Sequence, residues 1–348
     1  MMTLKGLEVC MELTPKVLIT GGAGFIGSRL GFYLYQLGYD VYLLDNLNHG
    51  YSENLTINGE SFGTFIDSDI RDNNLARHTY GMDYVVHLAG ISSLPLCQSK
   101  PMYAMDVNTG GTANVLEACR IAGVKRVVFA STGAVYENNT ETPFKEDITV
   151  NPFLIYPLSK VQAEQLCQSY NACYDMDITV LRFFNVYGPH QDFKRKHPPF
   201  TGYLLKQFLN KEEINFFSDG EQERDYIHID DLNTLIATCL TNKNASGQTF
   251  NACSGKSYSV KHITSVMMEL LNAKNSIRFS PAEAYWDNHP TLHKGNFPIK
   301  RSIVAQEVNK YCVGDTSKTK ELLGWEAQTT LKDGLRGIVD LLKVYDSI

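Results

Sequence analysis

The chain lacks most of the features that mark a specialised protein. No apolar run approaches the length needed to cross a membrane, and the opening residues MMTLKGLEVCMELTPK hold no apolar core of the kind a secretory signal carries. Charge of one sign is missing too. The net value is −6 with both signs dispersed, so no basic footprint for nucleic acid stands out. The densest basic run, Lys194-Arg195-Lys196-His197, reads as a solvated loop. The cysteines at 10, 97, 119, 167, 173, 239, 253 and 312 form no CxxC, so neither a metal site nor a disulfide framework is indicated. They read as small core residues in a reducing compartment, and the expected location is cytoplasmic, with no membrane or nucleic-acid partner. Repeats and low-complexity tracts are absent.

What is present is alternation. From Lys16 to about Phe184, strand-like runs such as KVLIT, DVYLLD, YVVHLAG and RVVFAST are separated by helix-like runs such as NTGGTANVLEACRIAG and SKVQAEQLCQSYNACY. That order predicts an α/β Rossmann-type fold, a doubly wound parallel sheet with helices on both faces. Beyond Asn185 the pattern is less regular. The expected division is a dinucleotide-binding domain over 16–185 and a smaller mixed α/β substrate domain over 186–348, with some segments returning to the first.

KVLIT runs into GGAGFIGS, where Gly21, Gly24 and Gly27 make G-x-x-G-x-x-G between a strand and a helix. Glycine serves there because the turn is tight, the backbone must approach a pyrophosphate, and helix packs on strand. Asp45 ends the second strand, where a carboxylate can accept both ribose hydroxyls and repel a 2′-phosphate. With no arginine close behind it, NAD is favoured over NADP. Asp69 either accepts from an adenine amino group or caps a loop.

Tyr156 and Lys160 stand four apart, on one face of a helix whose first turn tolerates Pro157. A free phenol is too weak an acid for base catalysis near neutrality, and a nearby cation would favour its phenolate. Ser131 and Thr132, at the end of RVVFAST, each qualify as the hydroxyl that holds a reacting oxygen beside it. His87 reads as a buried, hydrogen-bonded histidine.

Together GGAGFIG, DNL at 45–47, HLAG at 87–90, STGAVY at 131–136, YPLSK at 156–160, LRFFNVYGP at 181–189, RDYIHIDDL at 224–232 and LLGW at 322–325 resemble the extended short-chain dehydrogenase/reductase family. The likeness is greatest to its UDP-hexose 4-epimerases. The resemblance implies Tyr156 as general base, Lys160 as its partner and a ribose ligand, and Thr132 as the catalytic hydroxyl. It implies NAD contacts from Phe25, Ile26, Asp45, Asn46, Asp69, Ile70, Leu88, Ala89, Gly90 and Asn108. Asn185 and Arg224 fall where the family binds the nucleotide pyrophosphate, and Asn215 to Phe217 where it walls the uridine. It further implies a homodimer built on the helices that follow Asn108 and Tyr156.

Gly133 and Ala134 stand where related dehydratases carry an Asp-Glu pair and related decarboxylases a glutamate, which leaves 4-epimerisation or 4-keto reduction. A third reading, a non-catalytic dinucleotide sensor, is disfavoured because tyrosine and lysine are both kept. The chain departs from the family at Ile155, usually proline, and in the late R-x-G-[DE] motif. There Glu307 matches the acid, Val304 occupies the arginine position and Arg301 is the nearest substitute. The stretch from Pro281 to Gln306 is longer than usual. Cys312 matches the gate position of the sugar pocket, where a small residue admits N-acetylated sugars; the other reading makes it a core residue.

Overall fold

The computed structural model describes residues 14–57, 59–195 and 198–345. Cys10, the opening segment, and Lys196 and His197 of the basic run lie outside the described residues.

Seven strands form one sheet: Lys16–Thr20 (β1), Asp40–Asp45 (β2), Thr64–Asp67 (β3), Tyr84–His87 (β4), Arg126–Thr132 (β5), Ile178–Phe183 (β6) and, much later in the chain, Thr249–Ala252. Their spatial order is β3-β2-β1-β4-β5-β6, with Thr249–Ala252 beside β6, and every pairing is parallel. This is a doubly wound sheet. Alternate residues of one strand feed different cores. Val17 and Ile19 pack with Leu30 and Leu34, whereas Leu18 packs with Val115, Leu116 and Cys119 on the opposite face. Burial on both faces explains why the strands read as continuous Val/Ile/Leu runs.

The helices that concern the site are Phe25–Gln36 (α1), Gly111–Ala122 (α2) and Ile155–Tyr174 (α3). The second half contributes Asn185–Tyr187 (β7), Phe200–Asn210 (α4), Ile214–Phe217 (β8), Glu223–His228 (β9) and Arg301–Asn309 (α5). A core of Tyr187, Leu204, Phe208, Ile214, Phe216, Tyr226, Ile263, Met267 and Leu335 supports them. Thr249–Ala252 returns to the large sheet, and Leu232, Leu235 and Ile236 join the core beneath α1. The boundary near 185 is therefore one of chain order rather than of layers. Among the described residues no helix is long and apolar enough to cross a membrane, no metal-ligating cluster forms, and all seven cysteines are free.

One buried ion pair ties α3 to the sheet. Arg182 on β6 donates to both Glu164 oxygens at 3.0 and 2.8 Å, and to the Tyr136 hydroxyl at 2.8 Å. Ser131 donates to the same Glu164 carboxylate. Removing one member leaves an uncompensated buried charge, so Arg182→Ala should cost about 3–5 kcal/mol in urea denaturation. The double variant Glu164→Gln/Arg182→Met should lose clearly less than the sum of the two single losses.

Candidate active site

The order of strands reverses at β1, which opens a crevice between the carboxyl ends of β1 and β4. The glycine turn lines it. Gly21 has φ +74°, and a Cβ there would lie 2.9 Å from the Ala89 nitrogen; one on Gly27 would lie 2.2 Å from the Gly21 oxygen. Gly24 caps α1 without a side chain, so the first-turn N–H groups from Phe25 to Gly27 are left for a ligand. A dinucleotide pyrophosphate fits this cradle. Leu88, Ala89 and Gly90 follow β4 on its other wall, the Ala89 N–H donating to Thr20 at 3.2 Å.

Asp45 stands at the end of β2, its carboxylate accepting from the Ala23 N–H at 3.1 Å and the Leu47 N–H at 2.9 Å. Burial holds its pKa above the ordinary carboxylate range. Asp69 is engaged differently. Arg71 donates to both of its oxygens, at 2.9 and 2.7 Å, and Asn46 adds 2.8 Å, so its pKa is driven well below the usual range by those donors. The carboxylate is saturated without an adenine, which favours the loop-cap alternative. Ile70 is buried in the core, and Gly111 leaves room for it.

Asn108 lies in a π-helical turn, Asp106–Gly110, leading into α2. Its amide accepts from the Ile91 N–H at 2.7 Å and donates to Ile91 O and Ser159 Oγ at 3.0 Å each. It thus clamps the loop after β4 to the catalytic helix, with its donors spent on protein, so it positions the site rather than offering those donors to a cofactor. His87 bonds Thr20 at 2.7 Å and Thr112 at 3.0 Å, and burial lowers its pKa to about 3.

Ser131 and Thr132 separate cleanly. Ser131 donates to Glu164, whereas the Thr132 hydroxyl accepts from the Ala134 N–H at 3.1 Å and works to lower the pKa of Tyr156. Tyr156 is the second residue of α3, half-buried, and burial pushes its pKa up to about 12. Thr132 and, more weakly, the Arg195 guanidinium work against that rise. Lys160 is only 4% exposed; its Nζ donates to the Ala130 carbonyl at 2.8 Å, and burial brings its pKa down to about 8. The ammonium is thus bonded to the Ala130 carbonyl on β5, one helical turn from Tyr156 on α3. Gly133 sits under Phe184, whose ring a Cβ would approach to 3.1 Å, so an acidic side chain there is sterically opposed as well as absent.

The start of α3 is held by two groups that no motif disclosed. Glu137, buried, accepts from the Phe153 and Leu154 N–H groups at 2.7 and 3.0 Å, and Gln98 accepts from Ile155 at 3.2 Å. Ile155, in the usual proline position, uses that N–H, which a proline could not supply.

The opposite wall comes from the second half. Asn185 is exposed and donates to Asp225 O at 2.9 Å. Asn215 accepts from Ser280 at 2.8 Å, and the Phe217 ring meets Tyr285 edge-on at 5.0 Å. Arg224 is engaged by the protein itself. Its terminal N–H groups donate to the carbonyls of Glu223, Glu307, Val308 and Lys310, closing the carboxyl end of α5. Arg301 begins α5, about 12 Å away along the axis, and pairs with Asp287 at 2.9 Å. Val304 is fully buried with Trp286, Leu292 and Leu154, so that position is a core position here. Glu307 pairs with Lys310 at 2.6 Å. Cys312 packs with Tyr136, Phe144, Phe184 and Cys253 and also edges a small cavity beside Gly133 and Glu137.

A parallel sheet with a glycine turn, a carboxylate ending its second strand and a Tyr-Lys pair beside a threonine defines a nucleotide-cofactor oxidoreductase-type site. The comparisons narrow that class. The NAD dependent epimerase/dehydratase family model matches residues 17–253, and the chain belongs to that family. It is 32% identical over 330 residues to a putative UDP-glucose 4-epimerase of Methanocaldococcus jannaschii, covering 94% of this chain and 98% of that one. Its structure is similar to the UDP-glucose 4-epimerase of Thermotoga maritima solved with UDP-glucose, with TM-score 0.83, 29% identity and coverage of 95% and 99%. It is also similar to the UDP-N-acetylglucosamine 4-epimerase of Methanobrevibacter ruminantium in complex with UDP-N-acetylmuramic acid, with TM-score 0.83, 25% identity and coverage of 95% and 99%. The cofactor is NAD, and the chain is an enzyme of this UDP-sugar family.

Gly27→Ala should weaken NAD binding at least about tenfold, read as loss of NAD released from the denatured protein, because the new methyl collides with the Gly21 carbonyl. The Tyr156 phenol gives a second test. Its folded pKa of about 12 lies above the unfolded value of about 10. Its contribution is therefore full below about pH 10 and lost as pH rises through about 12. In cofactor-free protein Tyr156→Phe should remove one high-pH phenol titration and lessen the alkaline loss of stability.

Proposed function

We propose that the chain is an NAD-dependent 4-epimerase of UDP-hexoses that also accepts N-acetylated sugars. The observation that carries the reading is the Tyr156–Thr132 pair at the mouth of the crevice, with Gly133 and Ala134 beside it. Thr132 holds the sugar 4-oxygen and Tyr156 takes its proton, then returns it when the opposite face is reduced. NAD supplies, when bound, a reversible hydride acceptor for the carbon carrying that oxygen. Lys160, anchored on Ala130, orients the cofactor ribose and keeps positive charge within one helical turn of the phenol. No group placed to eliminate water or lose carbon dioxide follows Thr132, so the keto sugar has only the return of hydride open to it.

Residues 16–185 serve NAD and those after 185 mainly the nucleotide sugar, with Asn185, Asn215 and Phe217 among its contacts. Acceptance of an acetamido group rests on the small Cys312, which the family resemblance puts at the gate of the sugar pocket and which edges a small cavity beside Gly133 and Glu137. A homodimer through α2 and α3 is supported by the exposed Ile121 and Tyr174 on their outer surfaces.

Purified protein incubated with UDP-glucose, UDP-N-acetylglucosamine and UDP-glucuronate, without added cofactor, should yield C4-inverted products by NMR. Stoichiometric consumption of added reduced cofactor would instead make it a ketoreductase. Tyr156→Phe should lower kcat by roughly 10²–10⁴-fold. Cys312→Tyr should disfavour the N-acetylated substrate by about tenfold or more relative to UDP-glucose.

A further inference from the structure

A second cavity, of about 250 Å³, lies between α1, the turn that follows β7 and the helix Ile229–Thr241. Arg29, Phe32 and Tyr33 reach it from one face of α1, and Ile229, Asp230 and Asn233 reach it from the other helix. None of these side chains belongs to the glycine turn, the Tyr156 helix or the opposite wall of the crevice. The turn that closes one end is specially shaped, with His190 in the left-handed region at φ +67°. Asn233 is only 2% exposed, and its side-chain oxygen has no hydrogen-bond partner among the described residues. The residues on either side of it are spent. Asp231 accepts from the Gln328 and Thr329 N–H groups at 3.1 and 3.0 Å, and the Thr234 hydroxyl donates to Asp231 O at 2.7 Å. A buried amide oxygen without a donor is a costly exception in a folded chain. Here it stands at the wall of a cavity large enough to admit one.

The walls specify what carries that donor. Arg29 brings positive charge, the exposed Asp230 brings negative charge at the rim, and Phe32, Tyr33 and Ile229 are apolar. A simple anion is repelled by Asp230 and a simple cation by Arg29, whereas a zwitterion meets both with attraction. We propose that this cavity binds an α-amino acid with an apolar side chain. Its carboxylate pairs with Arg29, and its ammonium donates to the Asn233 oxygen on the side of Asp230. Its side chain lies against Phe32, Tyr33 and Ile229, where burial favours it. The volume falls below the range of drug-sized pockets and suits a ligand of about a dozen non-hydrogen atoms. The site does not depend on the nucleotide-sugar reading, because it shares no residue with the crevice.

The test titrates L-phenylalanine into the NAD-containing protein by calorimetry, with and without UDP. A dissociation constant below about 1 mM is expected in both conditions. Phenylacetate, which lacks the ammonium, and phenethylamine, which lacks the carboxylate, should each bind at least about tenfold more weakly. Asn233→Leu, which replaces the unmet amide by an apolar group of similar size, should weaken phenylalanine at least about tenfold, and so should Arg29→Met. Unchanged NAD content shows that a variant has folded, and one folded variant is enough. Absence of phenylalanine binding to the unaltered protein overturns the proposal. So does binding that UDP abolishes, which places the amino acid in the crevice, and binding that a folded variant retains in full, which places it elsewhere on the surface. Phenylacetate binding as tightly as phenylalanine makes the cavity an anion site and overturns the zwitterion.

Discussion

Two ionisable side chains on a single turn of α3, Lys160 buried and Tyr156 half-buried, are drawn out of water to different degrees, and much of the site's architecture answers to that. Burial favours the neutral phenol of Tyr156 and lowers the pKa of the Lys160 ammonium. Left alone, the chain therefore opposes the phenolate that base chemistry requires. Three features oppose that tendency: the Thr132 hydroxyl, the distant positive charge of Arg195, and the Ala130 carbonyl that accepts from Lys160. An oxidised nicotinamide ring, when bound, would add positive charge that favours the phenolate. The same turn must also be held still. Glu137 and Gln98 receive its leading N–H groups, and Asn108 fastens it to the loop beside Gly90.

What the sequence disclosed and what it hid divide along physical lines. Alternating apolar runs announce a sheet buried on both faces, and glycines at fixed offsets announce a turn whose side chains would collide with backbone. Tyr156 and Lys160 stand at a spacing that puts both on one helix face, whereas Thr132 is distinguished from Ser131 in the sequence only by the family resemblance. The partners of arginines are not legible there. Whether Arg224 meets a ligand or four carbonyls depends on where α5 ends, and no local pattern encodes that. Asp69 is similar, since Arg71 is adjacent in sequence but only the fold brings both Arg71 and Asn46 onto one carboxylate. Glu137 lies outside every motif because its work, receiving two backbone N–H groups, needs only a carboxylate at the right height.

The stretch from Pro281 to Gln306 illustrates how an unfamiliar insertion becomes structural. Trp286 and Leu292 pack with Val304 and with Leu154, the residue that caps α3, so the insertion buttresses the catalytic helix from outside. In return it carries Tyr285 to the Phe217 ring. Val304, at the position where the family resemblance implies an arginine, is enclosed in that cluster. The carboxyl end of α5 was correspondingly closed by a guanidinium from β9.

Tyr51 joins the two halves of the cleft. Its N–H bonds the Ala23 carbonyl in the glycine turn at 3.1 Å, and its hydroxyl reaches Asp192, which holds the backbone of Arg195. A ligand that stiffens the glycine turn therefore also stiffens the segment on the far wall. The reverse holds to the same extent, because coupling between two binding events is reciprocal. Through the backbone and the phenol of Tyr51 the glycine turn and the Arg195 segment form one hydrogen-bonded unit.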